Sequence, residues 1–159
     1  MTSTPFLTAG RILLSLVSIV TSTACYVADY NETHVFNKNW PPHAKFHNGQ
    51  TMSMGLLLGI VTAYFTWRHK LRPALYGSVT SQKDSIFTAA IVGSLYWITR
   101  LSAILYPGTT WIDPEFLTHD FDGKIAGLPG QFLPFSLNAI FAWLGYAVAA
   151  LDLEKLKDA

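Results

Sequence analysis

Four apolar runs, at about residues 9–28, 43–67, 85–106 and 131–151, decide what this chain can fold into. Each is close to the ~20 residues that an α-helix needs to cross a hydrocarbon layer. In lipid, backbone N–H and C=O groups must be satisfied within their own segment, so runs of this kind fold as helices. Charge supports the reading: 13% of the residues are charged, against roughly a quarter in a soluble domain. The expected fold class is all-α, an integral membrane four-helix bundle forming one domain over residues 1–159. Ser22-Thr23-Ala24 has the small-residue pattern of a signal cleavage site. However, Arg11 is the only early positive charge, and Tyr26, Val27 and Ala28 prolong the apolar run. The first run therefore reads as a retained span.

Basic residues set the expected orientation. Arg68, Lys70, Arg72 and Lys83 lie between the second and third runs, Lys155 and Lys157 follow the fourth, and Arg11 lies near the start of the first. By the positive-inside rule, loop 68–84 and both termini are cytoplasmic, and Arg11 is expected to snorkel toward that side. Loops 29–42 and 107–130 then face the lumen. Asn31-Glu32-Thr33 in the first of these is an N-glycosylation sequon, which makes Asn31 a candidate acceptor. The stretch Lys155-Leu156-Lys157-Asp158-Ala159 resembles a dilysine retrieval signal, so the expected address is the endoplasmic reticulum. Net charge is +1, with no basic stripe, so the expected partner is the lipid bilayer and not nucleic acid. The single cysteine, Cys25, excludes an intramolecular disulfide and any CxxC motif.

Polar residues gather at the lumenal side of the spans. Asp29 ends the first, and His43, Lys45, His47, Asn48 and Gln50 open the second. Arg100 lies near the end of the third, and Gln131 and Asn138 lie at the start of the fourth. Such groups are expensive at membrane depth and call for partners; Asp29 or Glu115 could pair with Arg100. Asn39 is the expected N-cap of the second helix, with Pro41 and Pro42 in its first turn. His43 and His47, four apart, share one helix face, a spacing that suits an acid and a base flanking one substrate group. Two histidines do not make a metal site, no HExxH pattern is present, and no phosphate-loop or dinucleotide fingerprint occurs, so neither metal nor cofactor is expected. The 107–130 stretch is long for a helix–helix connection, where about two to eight residues are usual. It carries Asp113, Glu115, His119, Asp120 and Asp122 alongside Trp111, Phe116 and Phe121, and reads as a cap over the lumenal mouth. Gly55 and Gly59 form a GxxxG pair suited to close packing inside the bundle.

HAKFHNGQTMSMG (residues 43–55), the preceding Asn39-Trp40-Pro41-Pro42 and SLYWITRLSAILYPGTTWIDPE (residues 94–115) resemble a family of small four-helix membrane proteins of fungi and bacteria. Some of its members lie near natural-product genes. In architecture the chain is also similar to emopamil-binding sterol isomerases and fungal anthrone oxygenases. Neither group's motif aligns residue by residue, and no catalytic role is carried over. The expected function is a cofactor-free enzyme or enzyme accessory of fungal secondary-metabolite biosynthesis, acting on a lipophilic terpenoid or polyketide by acid/base isomerisation or cyclisation. His43 and His47 would be the acid/base pair and Glu115 would orient them. Arg100, Asn48, Gln50, Asn138 and Asp29 would bind polar groups of the substrate. The alternatives are a non-enzymatic lipid or sterol binder and a scaffold for other pathway enzymes.

Overall fold

Helix follows helix along almost all of the chain: α1 (Ala9–Asp29), α2 (Pro42–Leu71), the single turn α3 (Pro73–Tyr76), α4 (Val79–Ser102) and α5 (Phe132–Lys157). The computed structural model describes residues 9–119 and 122–157. Asp120, Phe121, Asp158 and Ala159 lie outside the described residues. A 3-10 turn (Ala103–Leu105) extends α4, and another (Pro114–Phe116) breaks the loop that follows. That loop ends in a two-residue antiparallel ladder, β1 (Lys124–Ile125) against β2 (Leu128–Pro129). Ala126 (φ 51°) and Gly127 (φ 80°) turn the ladder, the left-handed pair that a tight hairpin of this hand requires.

Local chemistry explains where the helices start and stop. Ser78 caps α4 by accepting from the Ser81 N–H at 3.2 Å. At α2 the cap position is Pro41, not Asn39, and no side-chain cap bond forms. With Pro42 at the first helical position there is one orphan N–H fewer to satisfy. Asn39 is engaged elsewhere, its amide on Glu115 and its N–H on Asn37 Oδ1. Arg68, His69 and Lys70 fill the last turn of α2, where the helix dipole favours positive charge.

The long helices alternate in direction, as cross-contacts show. Asp29 meets Asn48, Cys25 meets Met52, and Ser18 meets Gly59, so α1 and α2 run antiparallel. Arg68 meets Ser85 while Gly55 lies against Tyr96, and Lys83 meets Glu154 while Trp97 packs on Phe135, so α4 opposes both α2 and α5. Contacts run round the ring α1–α2–α4–α5 and across the α1–α4 diagonal. Small residues bring the helices together. A Cβ on Gly59 would sit 2.0 Å from Ser22 Oγ and 2.6 Å from Ser18 O, and one on Gly55 would sit 2.8 Å from Cys25 Sγ. The GxxxG pair therefore packs α2 on α1 within the chain, as its spacing led us to expect.

Many large apolar residues lie outside, while small and polar residues share the inside with Leu14, Ile86 and Trp97. Thr21, Thr62, Thr66, Ser18, Ser85 and Ser94 are buried, whereas Leu16, Ile19, Leu57, Ile60, Leu95 and Ile140 are exposed. A belt of this extent is not what a soluble monomer shows. Three described helices are long and apolar enough to cross a membrane: Ala9–Asp29, Val79–Leu105 and Phe132–Lys155. No more than 33% of each apolar stretch is buried, so these helices fit association with a lipid bilayer. The sequence suggested four such spans; α2 has the length, but polar residues crowd both of its ends and keep it out of this set.

Candidate functional site

At the end of the bundle where α1 stops and α2 begins, the fold buries a carboxylate. Asp29 is 1% exposed and its Oδ2 accepts from Asn48 Nδ2 at 3.1 Å. Its other oxygen, Oδ1, lies 3.8 Å from Arg100 Nη2 and 3.7 Å from His34 Nε2 and accepts no hydrogen bond. Arg100 is the cation that the sequence placed in an apolar span, and Asp29 is the partner it finds. The guanidinium also donates to Tyr96 Oη at 2.9 Å and covers the Phe135 ring at 4.9 Å.

His34, which the sequence reading passed over, is fixed by the sequon residues. Asn31 Nδ2 donates to Ala28 O at 2.8 Å, closing the end of α1, so its Oδ1 faces Thr33. That oxygen accepts from the Thr33 N–H at 2.9 Å and the Thr33 hydroxyl at 2.6 Å. With its one hydrogen spent there, Thr33 Oγ1 can only accept from His34 Nδ1, 2.7 Å away. The network thus assigns the N–H to Nδ1 and leaves Nε2, which faces Asp29, as the bare ring nitrogen. The amide nitrogen a glycan would need is the one holding Ala28 O.

Two cavities meet at this cluster. The first, of about 540 Å³, is lined in part by His47, Asn48, Gln50, Thr51, Thr99 and Gln131. The second, of about 670 Å³, has Val20, Ala24, Trp97, Phe116 and Pro134 in its wall, with Asn138 at one side. Asp29, His34, Arg100, Trp111 and Phe135 line both. The loop after α4 forms the cover, with Thr110 and Trp111 in both walls and Trp111 edge-on to Phe132 at 6.3 Å. Glu115 pins this cover down. Its Oε1 accepts from Asn37 at 2.8 Å and its Oε2 from Asn39 at 2.9 Å, which ties the loop after α4 to the loop after α1.

The structure brings Asp29, Asn48 and Arg100 together, sets Gln50 and Asn138 in the cavity walls, and does not join Glu115 to the histidines. His43 and His47 contact one another, Nε2 to Nε2, at 3.0 Å, but both are exposed and only His47 reaches a cavity. They share a face, as the spacing required, and that face looks outward beside the exposed Phe46. Asn138 donates to Pro134 O, its own helix. Tyr96, Trp97 and Asn37 join the site without a role expected from the sequence; a tyrosine four residues before Arg100, on the same helix face, was the available signal.

Opposite in position, Arg11 departs from the expected snorkelling. It is 4% exposed and donates to Thr66 O and to Gln82 Oε1, the latter at 2.8 Å. Its place on the inward face of α1, between α2 and α4, turns the guanidinium into the bundle. No curated protein and no solved structure matches the chain. The sequence profile of one family does match, over residues 13–153, and the chain belongs to that family, the family of unknown function DUF6640.

Proposed function

We propose that this is a four-span membrane protein that holds a lipophilic small molecule in the capped cavities and moves a proton on it with the His34–Asp29 pair. The observation that carries the reading is a buried carboxylate with an imidazole nitrogen beside it at the seam of two cavities, in a bundle sheathed by apolar residues. Clustered titratable groups at a partly apolar pocket are the usual mark of acid/base chemistry. The reaction class favoured is cofactor-free isomerisation or cyclisation. Arg100 and Asn48 bind polar substrate groups, and His47, on the rim, is the second proton carrier. A pure carrier is the competing reading, favoured by how far Asp29 Oδ1 is sealed behind Arg100 and His34.

The four-span reading draws on α2 itself. At 30 residues it is ~45 Å long, against ~30 Å of hydrocarbon, so its first turns can stand in the headgroup layer with His43 and His47. Arg68, Lys83 and Arg11 lie at one end of the bundle and the cavities at the other, which supports cytoplasmic and lumenal sides, respectively. The endoplasmic reticulum as address rests on Lys155 and Lys157.

Metabolite profiles of a deletion strain complemented with single variants test the chemistry. His34→Ala and Asp29→Asn are expected to accumulate an intermediate one step short of the product, with His43→Ala close to wild type. Product formation by both of the first two variants would end the catalytic reading, and saturable ligand binding without turnover would leave the carrier.

A further inference from the structure

We infer that the ligand is an uncharged lipophilic alcohol whose hydroxyl sits between Asp29, His34 and Arg100. This deepens the reading that the cavities hold a lipophile and rests on it. Asp29 Oδ1 and Asn48 Oδ1 are both buried and both without a hydrogen-bond donor. A native fold rarely leaves such acceptors unmet, because each forfeits the bond it would make with water. The nearest donors to Asp29 Oδ1 stand off at 3.8 Å (Arg100 Nη2) and 3.7 Å (His34 Nε2). Those separations are too long for a direct bond and suit groups that share a third polar atom.

Charge selects which polar atom. A carboxylate or phosphate would bring a second anion against Asp29, and an ammonium group a second cation against Arg100. A hydroxyl is neutral and two-sided: its oxygen accepts from Arg100, and its hydrogen goes to Asp29 Oδ1 or to the bare Nε2 of His34. The covering side chains are themselves 22% and 29% exposed and line both cavities, so the route to Oδ1 runs between them. The walls divide accordingly. Val20, Ala24, Trp97 and Pro134 receive a hydrocarbon body on one side, Gln50 and Thr51 form a polar mouth on the other, and Gln131 lines both.

Displacement of radiolabelled 1-dodecanol from the full-length protein in lipid nanodiscs tests this. The competitors are unlabelled 1-dodecanol, dodecanoic acid, dodecylamine and dodecane, at a mildly alkaline pH where the acid is ionised and the amine protonated. The alcohol is expected to compete at least about tenfold better than the other three, the worth of one bond to a charged group. Asp29→Asn is expected to narrow the gap between alcohol and acid by relieving the repulsion. Equal competition by dodecane would mean that the hydroxyl is not read, and better competition by the acid or amine would mean that its charge was misjudged; either overturns the inference while leaving a lipophile site in place. Absence of saturable binding by all four would overturn the lipophile reading itself. The wild-type series decides the question even where Asp29→Asn does not fold.

Discussion

Each end of the bundle holds an arginine among its helices, Arg11 buried and Arg100 half-buried, and they use it differently. Arg11 is held by neutral acceptors from two neighbouring helices, Thr66 O on α2 and Gln82 Oε1 on α4. Arg100 stands loosely beside a carboxylate, at 3.8 Å, with two unmet acceptors nearby and a cavity on either side. The first arrangement fastens helices: these two bonds tie α1 to α2 and to α4. The second leaves hydrogen-bonding capacity over, which is what a ligand needs. A buried charge is thus no sign of a site by itself; unspent capacity next to space is.

The sharpest way to break the contrast is to test whether the ends are one cooperative unit. Both hang on the α1–α2 seam, where Gly59 leaves no room for a side chain. Gly59→Val is expected to cost about 3 kcal/mol or more, or to prevent folding, by overpacking a seam built on backbone contact. Gly49 meets nothing within 4 Å, so Gly49→Ala is expected to be neutral or to stabilise by up to about 1 kcal/mol. Thermal unfolding in detergent, followed at both ends by hydrogen exchange, checks this. Loss of protection at one end alone would show the ends to be independent.

Next in size is a crossed pair of substitutions. Arg11→Ala is expected to lower stability by about 2–4 kcal/mol through the cavity and the lost bonds, with ligand affinity of the folded fraction unchanged. Tyr96→Phe removes the hydroxyl that holds Arg100 at 2.9 Å. Its expected cost is about 1 kcal/mol of stability with a several-fold loss of affinity. Stability curves and the dodecanol assay read both; the opposite pattern would collapse the distinction between fastener and site.

The same contrast marks what could be read in the sequence. Asp29 and Arg100 were legible as partners because a charge inside an apolar run must find its opposite. Gly55 and Gly59 were legible because small residues at that spacing have one use inside a bundle. The facing of Arg11 was not, since it depends on which two helices flank α1. His43 and His47 announced a shared face, but periodicity does not say whether a face looks inward. His34 lies in a loop with no period, and its placement needs the Asn31–Thr33 turn, which reads from sequence as a glycosylation signal. The two asparagines that Glu115 bonds were not legible, because they lie more than seventy residues away in the chain.

Acid should separate the two ends further. His69, past the apolar part of α2, is buried, and its Nδ1 has no hydrogen-bond partner. Burial, with Arg11 and Lys70 adding to it, pushes its pKa down to about 4. A histidine lowered in the fold is neutral there and charges more readily when unfolded, near 6.5. Its contribution is therefore complete above that value and is lost as pH falls from 6.5 toward 4. His69→Leu is expected to flatten the melting temperature over that window relative to wild type. An unchanged acid slope in the variant would show that another group drives the loss.

The smallest effect belongs to the clasp. Glu115 is exposed, so its two bonds to Asn37 and Asn39 compete with water, and Glu115→Gln is expected to cost at most about 1 kcal/mol of global stability. Glutamine keeps one acceptor and replaces the other with a donor, which cannot pair with an asparagine N–H. The expected readout is local: faster amide exchange over residues 109–116 and 34–39, with α1 and α4 unaffected, and faster ligand dissociation because the cover opens more often. Arg11 and its neighbours should not register the change at all. If exchange rises equally at the Arg11 end, the cover is part of the global fold and not a separable door. If ligand dissociation stays at the wild-type rate while the loop loosens, the molecule leaves by another route, between the helices and into the lipid.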